Sequence, residues 1–159
     1  MTDHISDPLS YVFEAAPTAL TGLLRVTRRG GYVLASVMSL LGTWKYFLPG
    51  VLVDEDLYGT QASDQVLDTG DMRHLSGVEH FCQLYTSKQL TELVQQAGGQ
   101  LAAASASNWA SLGDVTALEQ IAADPDRWAA FLDREAAACA QHGALDGGTH
   151  LLFAAKHAG

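Results

Sequence analysis

The residues capable of chemistry are thinly spread along this chain, and their spacing rules out most familiar sites. Six histidines (His4, His74, His80, His142, His150 and His157) contain no HxxxH pair. His80 and Cys82 stand two apart, which on a strand puts two ligands on one face, but no third ligand is evident to complete a zinc site. Asp54, Asp56 and Gly59 have the spacing that opens a calcium loop, yet the twelfth position is Gln65 where a bidentate Glu is needed. No two glycines form G-x-G, so the phosphate-cradling and dinucleotide fingerprints are absent, and there is no G-x-S-x-G elbow. Cys82 and Cys139 lack C-x-x-C spacing and read as two reduced, buried thiols rather than a disulfide.

The elements that must position any site are organised around residues 17–38. Leu20, Leu23, Leu24 and Val26 recur at helical spacing, with Arg25, Arg28 and Arg29 near the end, where cations suit the helix dipole. Gly30-Gly31 stops that helix, and residues 32–38 form an almost unbroken apolar run. Such a run predicts a strand covered on both faces, as in a parallel sheet, so helix, glycine pair and strand read as one step of an α/β domain. Leu40, Leu41, Trp44, Phe47 and Leu48 then share a helical face closed by Pro49-Gly50, either a lid over a pocket or a helix packed on the core. Residues 51–78 are acidic and weakly periodic and read as an irregular excursion.

Order resumes after His80. Thr86 and Gln89 make a capping box ahead of Leu90, Leu93, Val94 and Ala97, and Gly98-Gly99 end that helix. A second strand is expected over 100–107. One helix follows from Asp114 with Val115, Leu118 and Ile121 inward. The next is capped by Asp124 with Pro125 at its first position, and Trp128, Phe131 and Leu132 inward. Asp146-Gly-Gly-Thr turns the chain into a closing strand at 151–156.

With 159 residues, 48% hydrophobic and 17% charged, the chain suits one domain, 1–159. The net charge of −9 argues against a nucleic-acid surface. No apolar stretch approaches the ~20 residues that span a bilayer, and the first residues lack a signal-peptide pattern, so no membrane association and a cytoplasmic location are expected. Charge is unevenly placed. Residues 15–53 hold four bases and no acid, and residues 54–71 hold six acids and no base, which reads as a solvated acidic loop.

Four segments together carry a resemblance: DPLSYV at 7–12, LLRVTRRGG at 23–31, VLASVMSLLG at 33–42 and FLPG at 47–50. They resemble the second half of a class I S-adenosylmethionine-dependent methyltransferase of the type 11 kind. RVTRRGG is similar to that family's RVLRPGG turn, with Arg29 where proline is usual, and QAGG at 96–99 is similar to its EAGF-type turn. The resemblance implies an α/β fold, a partial Rossmann-like methyltransferase sheet with flanking helices. Residues 32–38 would be the fifth of seven strands, and 100–107 and 151–156 the last two. The N-terminal strands, with the glycine-rich loop and the ribose-binding acid, would lie upstream of Met1.

The implied cofactor is S-adenosyl-L-methionine, with Pro8, Leu9, Ser10 and Tyr11 bordering it and the Tyr11 ring suited to its sulfonium. Trp44, Phe47, His74, His80 and Tyr85 would stand on the substrate side, with residues 39–80 as lid and substrate-side insertion; each of these side chains also has an ordinary reading as a packing or surface group. The implied activity is methyl transfer to a small-molecule acceptor once a separate N-terminal half completes the site. The alternative is a noncatalytic interaction or oligomerisation module that buries an open sheet edge against such a half or against its own copy.

Overall fold

A computed structural model describes residues 7–75 and 81–157. The chain enters through two 3-10 turns, Pro8–Tyr11 and Phe13–Ala15, and passes directly into α1 (Ala16–Val26). Leu20 and Leu24 on α1 are fully buried, and Gly30 takes a positive φ in the turn before β1 (Val33–Met38). Three helices follow: α2 (Leu40–Tyr46), α3 (Leu48–Tyr58) and α4 (Thr60–Thr69). A 3-10 turn, Met72–His74, leads towards α5 (Ser87–Gln96) and β2 (Gly99–Ala106). Then come α6 (Val115–Ala122), α7 (Pro125–Cys139) and β3 (His150–His157).

The sheet has the order β1-β3-β2, and β3 is antiparallel to both neighbours, so β1 and β2 point the same way with the last strand inserted between them. This corrects the expectation of a parallel ladder around residues 32–38. It also corrects the expectation that both faces of that strand are covered. Val33, Ala35 and Val37 share a face with Leu151, Phe153 and Ala155, and that face packs on α1 and α5 as the main core. Val37 is 0% exposed, whereas Leu34 on the opposite face is 78% exposed, with Leu152 beside it half exposed. The described fold is thus mixed α/β with a small antiparallel sheet and flanking helices.

Within residues 51–78, expected to be irregular, 51–58 and 60–69 are helical. Pro49 and Gly50 do not end the helix of Trp44; they fall in the first turn of α3, where proline lacks only an N–H that has no helical partner anyway. None of the residues of α3 is buried, so it lacks the one-sided stripe that would announce it. Two inward assignments also fail, since Val115 and Leu132 are exposed; Trp128 and Phe131 are half buried and stack on each other at 5.4 Å. The caps at Thr86, Asp114 and Asp124 form as expected.

A second, smaller core of Leu40, Val66, Leu75, Cys82 and Leu84 lies beside the first. Two close contacts join the parts. A Cβ on Gly42 of α2 would lie 1.7 Å from the Gly148 carbonyl oxygen, and one on Gly70 would lie 2.1 Å from the Leu84 oxygen, with φ +75° there besides. Among the described residues no helix is long and apolar enough to cross a membrane.

Candidate functional site

The first of the two 3-10 turns is bolted to the carboxyl end of β1. Ser10 Oγ accepts the Met38 N–H at 2.9 Å, and the Ser10 carbonyl accepts the Gln83 N–H at 2.7 Å. Leu9 and Ser10 are buried, so of the four residues at 8–11 only Pro8 and Tyr11 present their side chains outward.

Tyr11 leads into an apolar cavity of about 350 Å³ that it shares with Trp44 and Phe47. The three residues come from the entry turn, from α2 and from the cap between α2 and α3. Trp44 and Phe47, then Val51 and Asp54, follow at steps of three and four, which keeps them on one side of the continuing helical path. Met38, Met72, Leu75, Cys82 and Leu84 close the far wall. Tyr11 is 47% and Phe47 52% exposed, although both line an apolar space.

Cys82 Sγ sits 3.4 Å from Met38 Sδ and 3.3 Å from Met72 Sδ. Burial, aided by the charge of Asp7, pushes its thiol up to about 12, so it is a neutral wall group and not a nucleophile at physiological pH. Burial and the nearby Cys82 and Asp7 also raise Tyr11 above the usual phenol range.

His74 and Tyr85 are placed elsewhere. They line a separate groove of about 440 Å³ along α5, with Glu14, Asp71 and Arg73. His74 is exposed, while Tyr85 is buried in the main core, where burial first and Cys82 second push its hydroxyl up to about 12. Arg73 is already saturated. It pairs with Glu14 and, at 2.6 Å, with Asp71, and its guanidinium lies 4.1 Å from the ring centre of Phe13, a residue held at φ +44°. His80 lies outside the described residues.

A polar array that sequence reasoning did not single out stands at the start of β3. Asp7 Oδ2 is 3.1 Å from His150 Nε2, and His150 Nδ1 is 2.9 Å from Thr149 Oγ1. The Asn108 amide donates to Thr149 Oγ1 at 3.2 Å and its oxygen accepts the Thr149 N–H. The Thr149 carbonyl accepts the Ser39 N–H and the Thr43 hydroxyl, so the array ties α2 and the entry turn to the sheet. Thr149 is buried, and because Thr43 lines the cavity its bond to the Thr149 carbonyl connects the array to the cavity wall.

Among the described residues no group of three or more His, Cys, Asp or Glu is placed to hold a metal ion. Cys82 and Cys139 are free and buried. No protein-family model matches this chain, and comparison with curated proteins finds no match.

Proposed function

We propose that this chain forms the acceptor side of an S-adenosylmethionine-dependent methyltransferase, with the cavity of Tyr11, Trp44 and Phe47 as the place where the acceptor sits. The observation that carries the reading is a partial convergence: Tyr11, which the resemblance sets beside the cofactor, and Trp44 and Phe47, which it sets on the substrate side, line one cavity beside the carboxyl end of β1, while Pro8, Leu9, Ser10, His74 and Tyr85 do not line it.

The cofactor, when bound, supplies a methyl group on a sulfonium. The residues present fit one end of it. The half-exposed Tyr11 ring suits a cation, whereas Leu9 and Ser10 have side chains committed to the core and to the Met38 N–H and would meet a cofactor only through their backbone. The chain's own contribution is orientation: the apolar walls hold the acceptor in line, the main source of rate in a displacement that needs little other help.

A second reading has an observation of its own. The outer face of β1 is bare at Leu34, and a shallow apolar trough runs from there across Leu152 to Ala103. A face of that kind suits docking of a complementary half or a second copy. Calorimetry with S-adenosylmethionine, paired with sedimentation velocity, separates the two. Micromolar heat of binding by the chain, alone or with a complementing half, supports methyl transfer. Absence of binding in both settings, with mass that rises with concentration, supports the module.

A further inference from the structure

We infer that the cavity selects an organic cation, so that the acceptor is an apolar molecule bearing an amine, bound as its ammonium; that ammonium must pass its N–H proton to the Asp54 carboxylate before the freed lone pair can take the methyl and the sulfonium leave as a neutral thioether. As an assignment of the acceptor this rests on the methyl-transfer reading; as a binding property of the cavity it does not.

Three observations combine. Tyr11, Trp44 and Phe47 bring three aromatic side chains to one space of about 350 Å³, the size range of small-molecule pockets. Aromatic rings attract a cation through their quadrupole, most strongly where water is excluded. Second, Asp54 is the one charged group lining the cavity among the described residues, and no Lys, Arg or His there opposes it. Third, the rest of the wall carries no charge: it is aliphatic or sulfur-bearing apart from Gly50 and Thr43, whose hydroxyl already donates to the Thr149 carbonyl, and Met38, Met72 and the neutral Cys82 thiol are polarizable but uncharged. An ammonium on an apolar body finds a carboxylate, aromatic rings and greasy walls together. A carboxylate or phosphate ligand meets repulsion from Asp54 and no cationic side chain in the lining to offset it.

An onium group has two possible sources here, the acceptor's ammonium or the cofactor's sulfonium, and the experiment distinguishes them. Benzyltrimethylammonium, benzyl alcohol and benzoate are titrated into the chain by calorimetry. The cation should bind at least tenfold more tightly than the alcohol, and benzoate should give no heat. Asp54→Asn should weaken the cation about tenfold and leave the alcohol unchanged, and Trp44→Leu should weaken the cation about threefold or more. Circular dichroism checks that both variants are folded. Equal affinity for cation and alcohol, or an Asp54→Asn variant that binds as the parent does, overturns the inference.

If S-adenosylmethionine displaces the probe competitively and its neutral thioether product does not, the cavity holds the sulfonium, and the amine assignment is overturned. Cation binding with no S-adenosylmethionine binding, by the chain alone or with a complementing half, keeps the cavity's selectivity and removes the methyl-transfer reading. Methylation of a neutral acceptor without cation binding does the reverse.

Discussion

Glu135 shows how much a single side chain can hold in place. It is buried on α7, and its carboxylate accepts N–H bonds from Trp109 (2.7 Å), Ala110 (2.9 Å) and Ser111 (3.1 Å) and the Ser111 hydroxyl. Burial by itself would raise its pKa, but the Ser111 hydroxyl and the backbone N–H groups outweigh it and hold the carboxyl below its ordinary range. A lowered folded-state pKa adds stability above the unfolded-state pKa, and that stability is lost as pH falls through the folded value. Glu135→Gln should therefore cost about 1–3 kcal/mol at pH 7, and the gap between variant and parent should close as urea titrations move from pH 5 towards pH 3. A gap that stays constant over that window would show that the charge is not what anchors the loop.

Packing between elements is set by small residues as much as by large ones. Gly42 and Gly22 are both glycines inside helices, and helix propensity alone favours alanine at each by about 1 kcal/mol. Their surroundings differ. A Cβ at Gly42 would strike the Gly148 carbonyl, whereas one at Gly22 meets nothing within 4 Å. Gly42→Ala should lower the melting temperature by the equivalent of about 1–3 kcal/mol, and Gly22→Ala should hold or raise it. Equal effects at the two positions would mean that α2 is free to move away from the Gly147-Gly148 turn. The contact matters for the cavity, because α2 carries Thr43 and Trp44.

The molecule has two cores of unequal strength. The main one joins α1, the sheet and α5, while the lesser one gathers Leu40, Val66, Leu75, Cys82 and Leu84 beneath α3 and α4. Helix α3 contributes no buried residue, and apolar side chains such as Leu52, Val53 and Leu57 stand exposed on it. Hydrogen exchange should follow that division: amides of β3, paired on both sides, exchange last, and those of α3 exchange first by local opening. Addition of a ligand that occupies the cavity should slow α3 more than β3. Protection of α3 equal to that of β3 in the free chain would show that the cavity wall is part of the main cooperative unit.

The local content of the chain was readable where one short segment carries its own signal. The Thr86 and Gln89 capping box, the Asp124-Pro125 start of α7, the glycine pair after α1 and the three strands are all where their sequences place them. Strand direction was not readable, because the apolar run at 33–38 looks the same whether its neighbour is parallel or antiparallel; only the return of β3 between β1 and β2 settles it. Nor was the helical nature of 48–58, since a helix with apolar residues on several sides and none buried has no stripe to read. By its sequence context Asp54 is one acid of a solvated loop, and it is a cavity group only because α3 follows α2 around the same space. Caps and periods are interactions among residues a few positions apart, which the sequence spells out; pairing and enclosure join residues tens of positions apart, and those depend on how the whole chain closes.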